Sequence, residues 1–246
     1  MDRSLYVAMT GATQTMRAQA EVAHNLANAN TAGFKAELSA FRSVPVLGDG
    51  ERSRINAVAQ GTGWDLSAGP QVATGRDLDV AVQGQGWIAV QAADGGEGYT
   101  RAGSLQVGAD GLLTTATGQP VLGDGGPISV PPYTQLTIGN DGTVSVVPQG
   151  QGPATLAVVG RIKLVNPEPA QLAKGGDGLM RLAGDGTAPA DAGVRLASGV
   201  IESSNVNPSE QLVRMIELAR QFEMQVRGIR SADDNARAAT QLLQAT

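Results

Sequence analysis

Residues 205–243, NVNPSEQLVRMIELARQFEMQVRGIRSADDNARAATQLL, decide how the rest of this chain is read. Asn207 offers a cap, Pro208 suits the first helical position, and Glu210 stands where a capping-box carboxylate reaches back. Beyond them one face repeats in steps of three and four: Leu212, Met215, Ala219, Phe222, Val226, Ile229, Asp233, Ala236, Thr240 and Leu243. The spacing predicts a long helix with a coiled-coil-like seam, apolar as far as Ile229 and fading at Asp233 and Thr240. Such a seam needs a partner.

A matching face lies at the opposite end of the chain. Leu5, Met9, Ala12, Met16, Gln19, Ala23 and Leu26 alternate by four and three, with Ala8, Ala20 and Ala27 beside them. Small side chains there permit close approach of a second helix. The first helix is expected to stop within Asn28-Ala29-Asn30-Thr31-Ala32-Gly33, residues that bond the backbone locally or accept left-handed conformations.

Between the helices the chain reads as β. Thirty-three glycines and only 3% aromatic residues favour short strands and tight turns over a core of large anchors. Leu78, Val80 and Val82 alternate with Asp79 and Ala81, and Ile88 and Val90 continue the pattern. Asp110-Gly111 and Asp141-Gly142 each sit between β-formers, the strongest short hairpin signal. Residues 45–73 have no clean period and are broken by Gly61 and Gly63, so they read as an extended connector. The fold class expected is α+β: long N- and C-terminal helices pairing as a stalk, and a mainly β, hairpin-rich middle. Its parts are residues 1–35, a connector over 36–76, a β-rich domain over 77–198, and residues 199–246.

Catalytic signatures fail one by one. Gly84-Gln85-Gly86-Trp87-Ile88-Ala89 has dinucleotide-loop spacing, yet residues 87–90 read as a strand where that chemistry needs a helix N-terminus. His24 is the single histidine, and with no cysteine the usual His/Cys zinc sets are excluded. Asp77 with Asp79, and Asp233 with Asp234, read as turn and helix-surface charges. No enzyme activity, cofactor or metal is expected. A net charge of −5 without a basic run argues against nucleic acid. No apolar run approaches the ~20 residues that span a bilayer, and the N-terminus lacks the pattern of a cleaved Sec signal. Composition alone reads as cytoplasmic.

Three ordered segments carry a resemblance. Residues 25–35, NLANANTAGFK, resemble the element that closes the N-terminal helix in the flagellar rod, hook and hook-associated family of axial proteins. Residues 199–207, GVIESSNVN, with Arg220-Gln221-Phe222-Glu223 after them, resemble that family's approach to its C-terminal helix. Residues 77–87 and 99–105, DLDVAVQGQGW and YTRAGSL, resemble its central strands, with Trp87 standing where Phe is common. Chain length and the opening residues 1–12 are most similar to the proximal-rod branch. Distal-rod members, the alternative within the family, usually carry extra residues after the GFK element.

The resemblance implies a structural subunit of the basal-body rod that self-assembles through its terminal helices into a tube and transmits torque. It implies other rod subunits, proximal and distal, as partners. It also implies export by the flagellar type III apparatus without a cleaved signal, and a place spanning the periplasm, which displaces the cytoplasmic reading. The residues expected to carry assembly are the two seams, Asn25, Asn28, Asn30, Thr31, Gly33 and Phe34, and the run Ser204, Asn205, Val206, Asn207 and Pro208. A competing reading from another class is a soluble β-domain binding module with an ordinary helix pair.

Overall fold

The computed structural model describes residues 3–45, 55–152, 155–184 and 186–244, without the side chains of 3, 4, 239 and 242–244. Leu243 of the expected seam therefore lies outside the described side chains. The chain forms two helices and a largely β middle, an α+β architecture divided into two compact units. One unit holds Met1–Ala29, Ala36–Asp65 and Val206–Thr246; the other holds Asn30–Lys35 and Leu66–Asn205.

In the first unit, α1 (Arg3–Ala27) and α2 (Pro208–Gln244) are the long helices. Asn207 caps α2: its Oδ1 accepts from the N–H of Ser209 at 3.1 Å and of Glu210 at 3.4 Å. Glu210 lies in the first turn, the favourable end of the dipole for a carboxylate. Among the described residues no helix is long and apolar enough to cross a membrane. The expected connector over 36–76 contains strands, and its residues 46–54 lie outside the described residues. β1 (Glu37–Pro45) and β2 (Ile55–Trp64) pair antiparallel, with a register shift between Leu38 and Ser39. Their mixed burial hides the pairing from a periodicity argument, because neither face is cleanly apolar. Ala36–Asp65 belong with the helices, and Asn30–Lys35 belong with the β unit.

The β unit is built from short antiparallel pairings. A five-stranded sheet runs Leu164–Val165, Trp87–Gln91, Glu97–Thr100, Met180–Leu182, Leu172–Lys174, and a three-stranded sheet runs Tyr133–Ile138, Thr143–Pro148, Ala157–Arg161. One core of Val, Ile and Leu, including Ile88, Leu105, Leu113, Val144 and Leu196, lies between these strands. Trp87–Gln91 is a strand directly after Gly86, so the dinucleotide reading fails on geometry.

The Asp-Gly turns share one construction, seen at four places among the described residues. At Gly108–Gly111, Gly139–Gly142, Gly175–Gly178 and Ala92–Gly95, the fourth residue's N–H bonds the first residue's carbonyl. The fourth residue is in each case a glycine with φ between 76° and 84°. The third, Asp110, Asp141, Asp177 or Asp94, turns Oδ1 onto the N–H two residues ahead. This is a type I turn closed by a left-handed residue, which explains why Asp-Gly recurs there.

Candidate functional site

The helices of the first unit pack against each other through small residues. Ala18 and Val22 of α1 form one cluster with Leu218 of α2, and Met215 packs on it. A Cβ on Gly11 would meet the Gln225 side chain at 3.0 Å. As α1 advances from 11 to 22 its contacts on α2 retreat from 225 to 215, so the two run antiparallel.

The face used differs from the seam expected on α1. Gly11, Ala12, Gln14, Thr15, Ala18, Val22 and Asn25 are buried. Of the expected seam only Ala12 is buried; Leu5, Gln19 and Leu26 are half-buried, while Met9, Met16 and Ala23 are exposed. On α2 the buried and half-buried row is Gln211, Met215, Leu218, Phe222, Gln225 and Ile229, again in steps of four and three. Met215, Phe222 and Ile229 belong to both rows; Ala219 and Val226 are half-buried and Leu212 is exposed. The reason is steric: small side chains let the axes approach, and larger neighbours are turned outward. α1 also has a second neighbour, since Gln14 Oε1 accepts from the Ala59 N–H of β2 at 3.1 Å.

The NLANANTAGFK element divides between the units. In the first, Asn25 makes a two-point clamp on Glu37, Nδ2 to its carbonyl at 2.9 Å and Oδ1 from its N–H at 2.9 Å. Asn28 Nδ2 bonds the His24 carbonyl and helps end α1. In the second, Asn30 and Thr31 are exposed, and Gly33 stands at φ +70° with its N–H on the Glu202 carbonyl at 2.8 Å. The Phe34 ring takes the Lys174 ammonium 4.4 Å from its centroid.

Lys35 leads to a feature that periodicity could not locate. Its ammonium lies 2.6 Å from Glu202 Oε1 and 2.5 Å from the Ser67 carbonyl. Arg101 Nη1 lies 2.9 Å from Glu202 Oε2, Nη2 reaches the Gly84 carbonyl, and the guanidinium stacks over Trp87. The Gly69 N–H donates to Glu202 Oε1 at 3.0 Å. The Glu202 side chain is fully buried, and both cations are 4% exposed. Burial pushes the Glu202 pKa up, but the Lys35 ammonium, the Gly69 N–H and the Arg101 guanidinium together outweigh it, and the carboxyl sits below its ordinary value. Two glycines make room: a Cβ on Gly33 would stand 2.3 Å from the Arg101–Ala102 backbone, and one on Gly69 would stand 2.0 Å from the Ser203 carbonyl.

The last expected group borders this collar. Ser204 is buried, and Asn205 Nδ2 bonds the Ser67 carbonyl at 3.2 Å. In the first unit Val206 is buried, with Asn207 and Pro208 opening α2. Lys35, Arg101 and Glu202 were not singled out by sequence reasoning. The signal was present: each of the three resembling segments carries one of these charges.

Relatives place the chain. A protein named flagellar basal-body rod protein FlgF in Salmonella typhimurium is 48% identical over 249 residues, covering 99% of both chains. The chain belongs to the flagellar basal-body rod protein family. The FlgF protein of Escherichia coli is 47% identical with the same coverage, and that of Caulobacter vibrioides 35% identical over 99% of this chain and 98% of its own. Family models agree along the sequence. Flagella basal body rod protein matches residues 5–35, the flagellar hook protein FlgE/F/G D1 domain matches 81–146, and the flagellar basal body rod FlgEFG protein C-terminal matches 197–242. These matches contain Lys35, Arg101 and Glu202 respectively.

Proposed function

We infer that this chain is a structural subunit of the bacterial flagellar basal-body rod, in the proximal-rod position. The observation that carries the reading is full-length identity of 48% to a protein named FlgF. A relative named flagellar basal-body rod protein FlgG, from Buchnera aphidicola, is less similar, 32% identical over 262 residues. Partners in this reading are further copies and the neighbouring rod subunits, reached by export through the flagellar type III apparatus into the periplasm.

Self-assembly through the terminal helices is supported by what the helix pair leaves outside. Tyr6, Met9 and Met16 are 55%, 49% and 57% exposed on α1, at helical spacing; Leu212, Val213, Ile216 and Met224 are similarly exposed on α2. Apolar side chains concentrated on one element mark a surface that another protein covers. The coiled-coil character expected of the helices belongs to such contacts in a tube of subunits.

The test uses residues with little to lose in the isolated chain. Met16→Asp and Ile216→Asp alter exposed side chains, so unfolding midpoints stay near the parent's. In a strain lacking this gene, neither variant restores swimming or yields rods. Variants that swim like the parent would overturn the assembly role of this face.

A further inference from the structure

All bonds of the Glu202 collar lie within the β unit, yet the collar marks every place where the chain enters or leaves that unit. The chain crosses at 29/30, 35/36, 65/66 and 205/206. Gly33, three residues inside the first crossing, donates to the Glu202 carbonyl, and Lys35, at the second, holds its carboxylate. Ser67, just inside the third, accepts from Lys35 and from Asn205. Asn205, at the fourth, also donates its own N–H to the Phe34 carbonyl at 3.4 Å. One buried carboxylate and its two cations thus gather segments that are 101 and 167 residues apart in sequence.

We propose that Glu202 is a positioning residue for assembly: held by Lys35 and Arg101, it fixes where the chain leaves the β unit on its way to the helices. The proposal rests on the rod reading above. Its chemical ground is the difference between ionic and apolar burial. A buried ion triad is often no more stabilising than apolar side chains of similar volume, because desolvation offsets attraction. Directional bonds do something an apolar cluster cannot. Glu202 Oε1 receives both the Lys35 ammonium and the Gly69 N–H, and Lys35 in turn takes the Ser67 carbonyl, so three backbone segments acquire one register. Gly33 and Gly69 permit that closeness, since any Cβ would strike backbone atoms.

The experiment compares the full-length chain with the apolar triple variant Lys35→Met/Arg101→Met/Glu202→Leu, and with Glu202→Asp, which keeps the charge but shortens its reach. Expected for the triple variant are a melting midpoint near the parent's, amide exchange at Gly33 and Gly69 at least about tenfold faster, unchanged exchange at Ile88 and Val144, and no restored swimming in the deletion strain. Glu202→Asp is expected to fold, to speed exchange at Gly33 and Gly69, and to swim poorly. Parent-like exchange at Gly33 and Gly69 in either variant, or parent-like swimming by the folded triple variant, overturns the proposal. If the triple variant fails to fold, Glu202→Asp decides on both readouts. A deletion strain that still swims would sink the rod reading, and the exchange comparison would then decide the positioning role alone.

Discussion

Glu202→Gln is the sharpest single perturbation of the β unit. The side chain is fully buried, and its loss of charge removes the carboxylate that Lys35 and Arg101, each 4% exposed, share. Breaking a buried pair in this way costs about 3–5 kcal/mol. Gln keeps a carbonyl oxygen for the Lys35 ammonium and the Gly69 N–H, so the lower end, about 3 kcal/mol, applies. That is a large part of the roughly 5–15 kcal/mol that holds a domain together. At about 2–4 °C per kcal/mol for a domain of this size, the midpoint falls by roughly 6–12 °C at neutral pH. The pH profile identifies the cause. The folded carboxyl lies below its ordinary value of 4.5, so its contribution is fully present above that value and is lost as pH falls through the folded pKa. The gap between parent and variant is therefore constant near neutrality and closes in acid, where the parent's Glu202 is itself protonated. Thermal melts followed by far-UV circular dichroism across pH measure both. A neutral-pH gap under about 1 kcal/mol, or a gap that persists unchanged in acid, would refute the reasoning.

Other expectations follow from the same geometry. Gly33→Ala combines a left-handed backbone with a Cβ 2.3 Å from the Arg101–Ala102 backbone, whereas Gly84→Ala at φ +73° meets nothing within 4 Å. Denaturant unfolding should give about 1 kcal/mol for Gly84→Ala and more than about 2 kcal/mol for Gly33→Ala; equal losses would contradict the close approach. Burial pushes the Tyr99 phenol up to about 12, with the Ala188 N–H opposing and Glu97 reinforcing the shift. The fold thus holds Tyr99 neutral, and its contribution is lost as pH rises beyond the ordinary value of 10.0. Tyrosinate absorbance of the parent minus that of Tyr99→Phe should appear only near unfolding, and ionisation at the ordinary value in a chain with native ellipticity would contradict it. Hydrogen exchange on the monomer should be fast across Arg3–Ala27 and Pro208–Gln244 and slow at Ile88 and Val144. Ordering a helical residue costs about 1–2 kcal/mol, and among the described residues the apolar cluster between the helices is small: Ala18, Val22 and Leu218 with Met215 beside it. Strong protection of both helices would show that the pair is self-sufficient.

What could be read from sequence was what depends on neighbours in the chain. The Asn207 cap, the end of α1 before Gly33 and the Asp-Gly turns are all made by residues within four positions of one another. Pairing between distant segments was harder. β1 and β2 carry Ser, Gly and Gln among their apolar residues, so their pairing left no period to find. The collar was hidden for a stronger reason: nothing local distinguishes Lys35, Arg101 and Glu202 from surface charges until the fold brings both cations within 3 Å of the Glu202 carboxylate. Only the fact that each falls inside one of the three resembling segments hinted that they belong together.

The rotated seam on α1 is instructive. A row of large apolar residues at helical spacing identifies a face that will be covered, but not which neighbour covers it. On α1 the closest packing within the chain uses Gly11, Ala12, Thr15, Ala18 and Val22, where short side chains let a second helix and a strand approach. Tyr6, Met9 and Met16, which offer more apolar area, remain outside. A helix serving only its own chain would gain by turning its largest apolar residues inward, since burial stabilises by about 25 cal/mol per Å². Placing them outward instead costs the monomer that gain, which the proposed contacts between subunits would recover. On the proposed function the two faces of α1 have separate uses: the small residues pack within the chain, and the exposed methionines are left for neighbouring subunits.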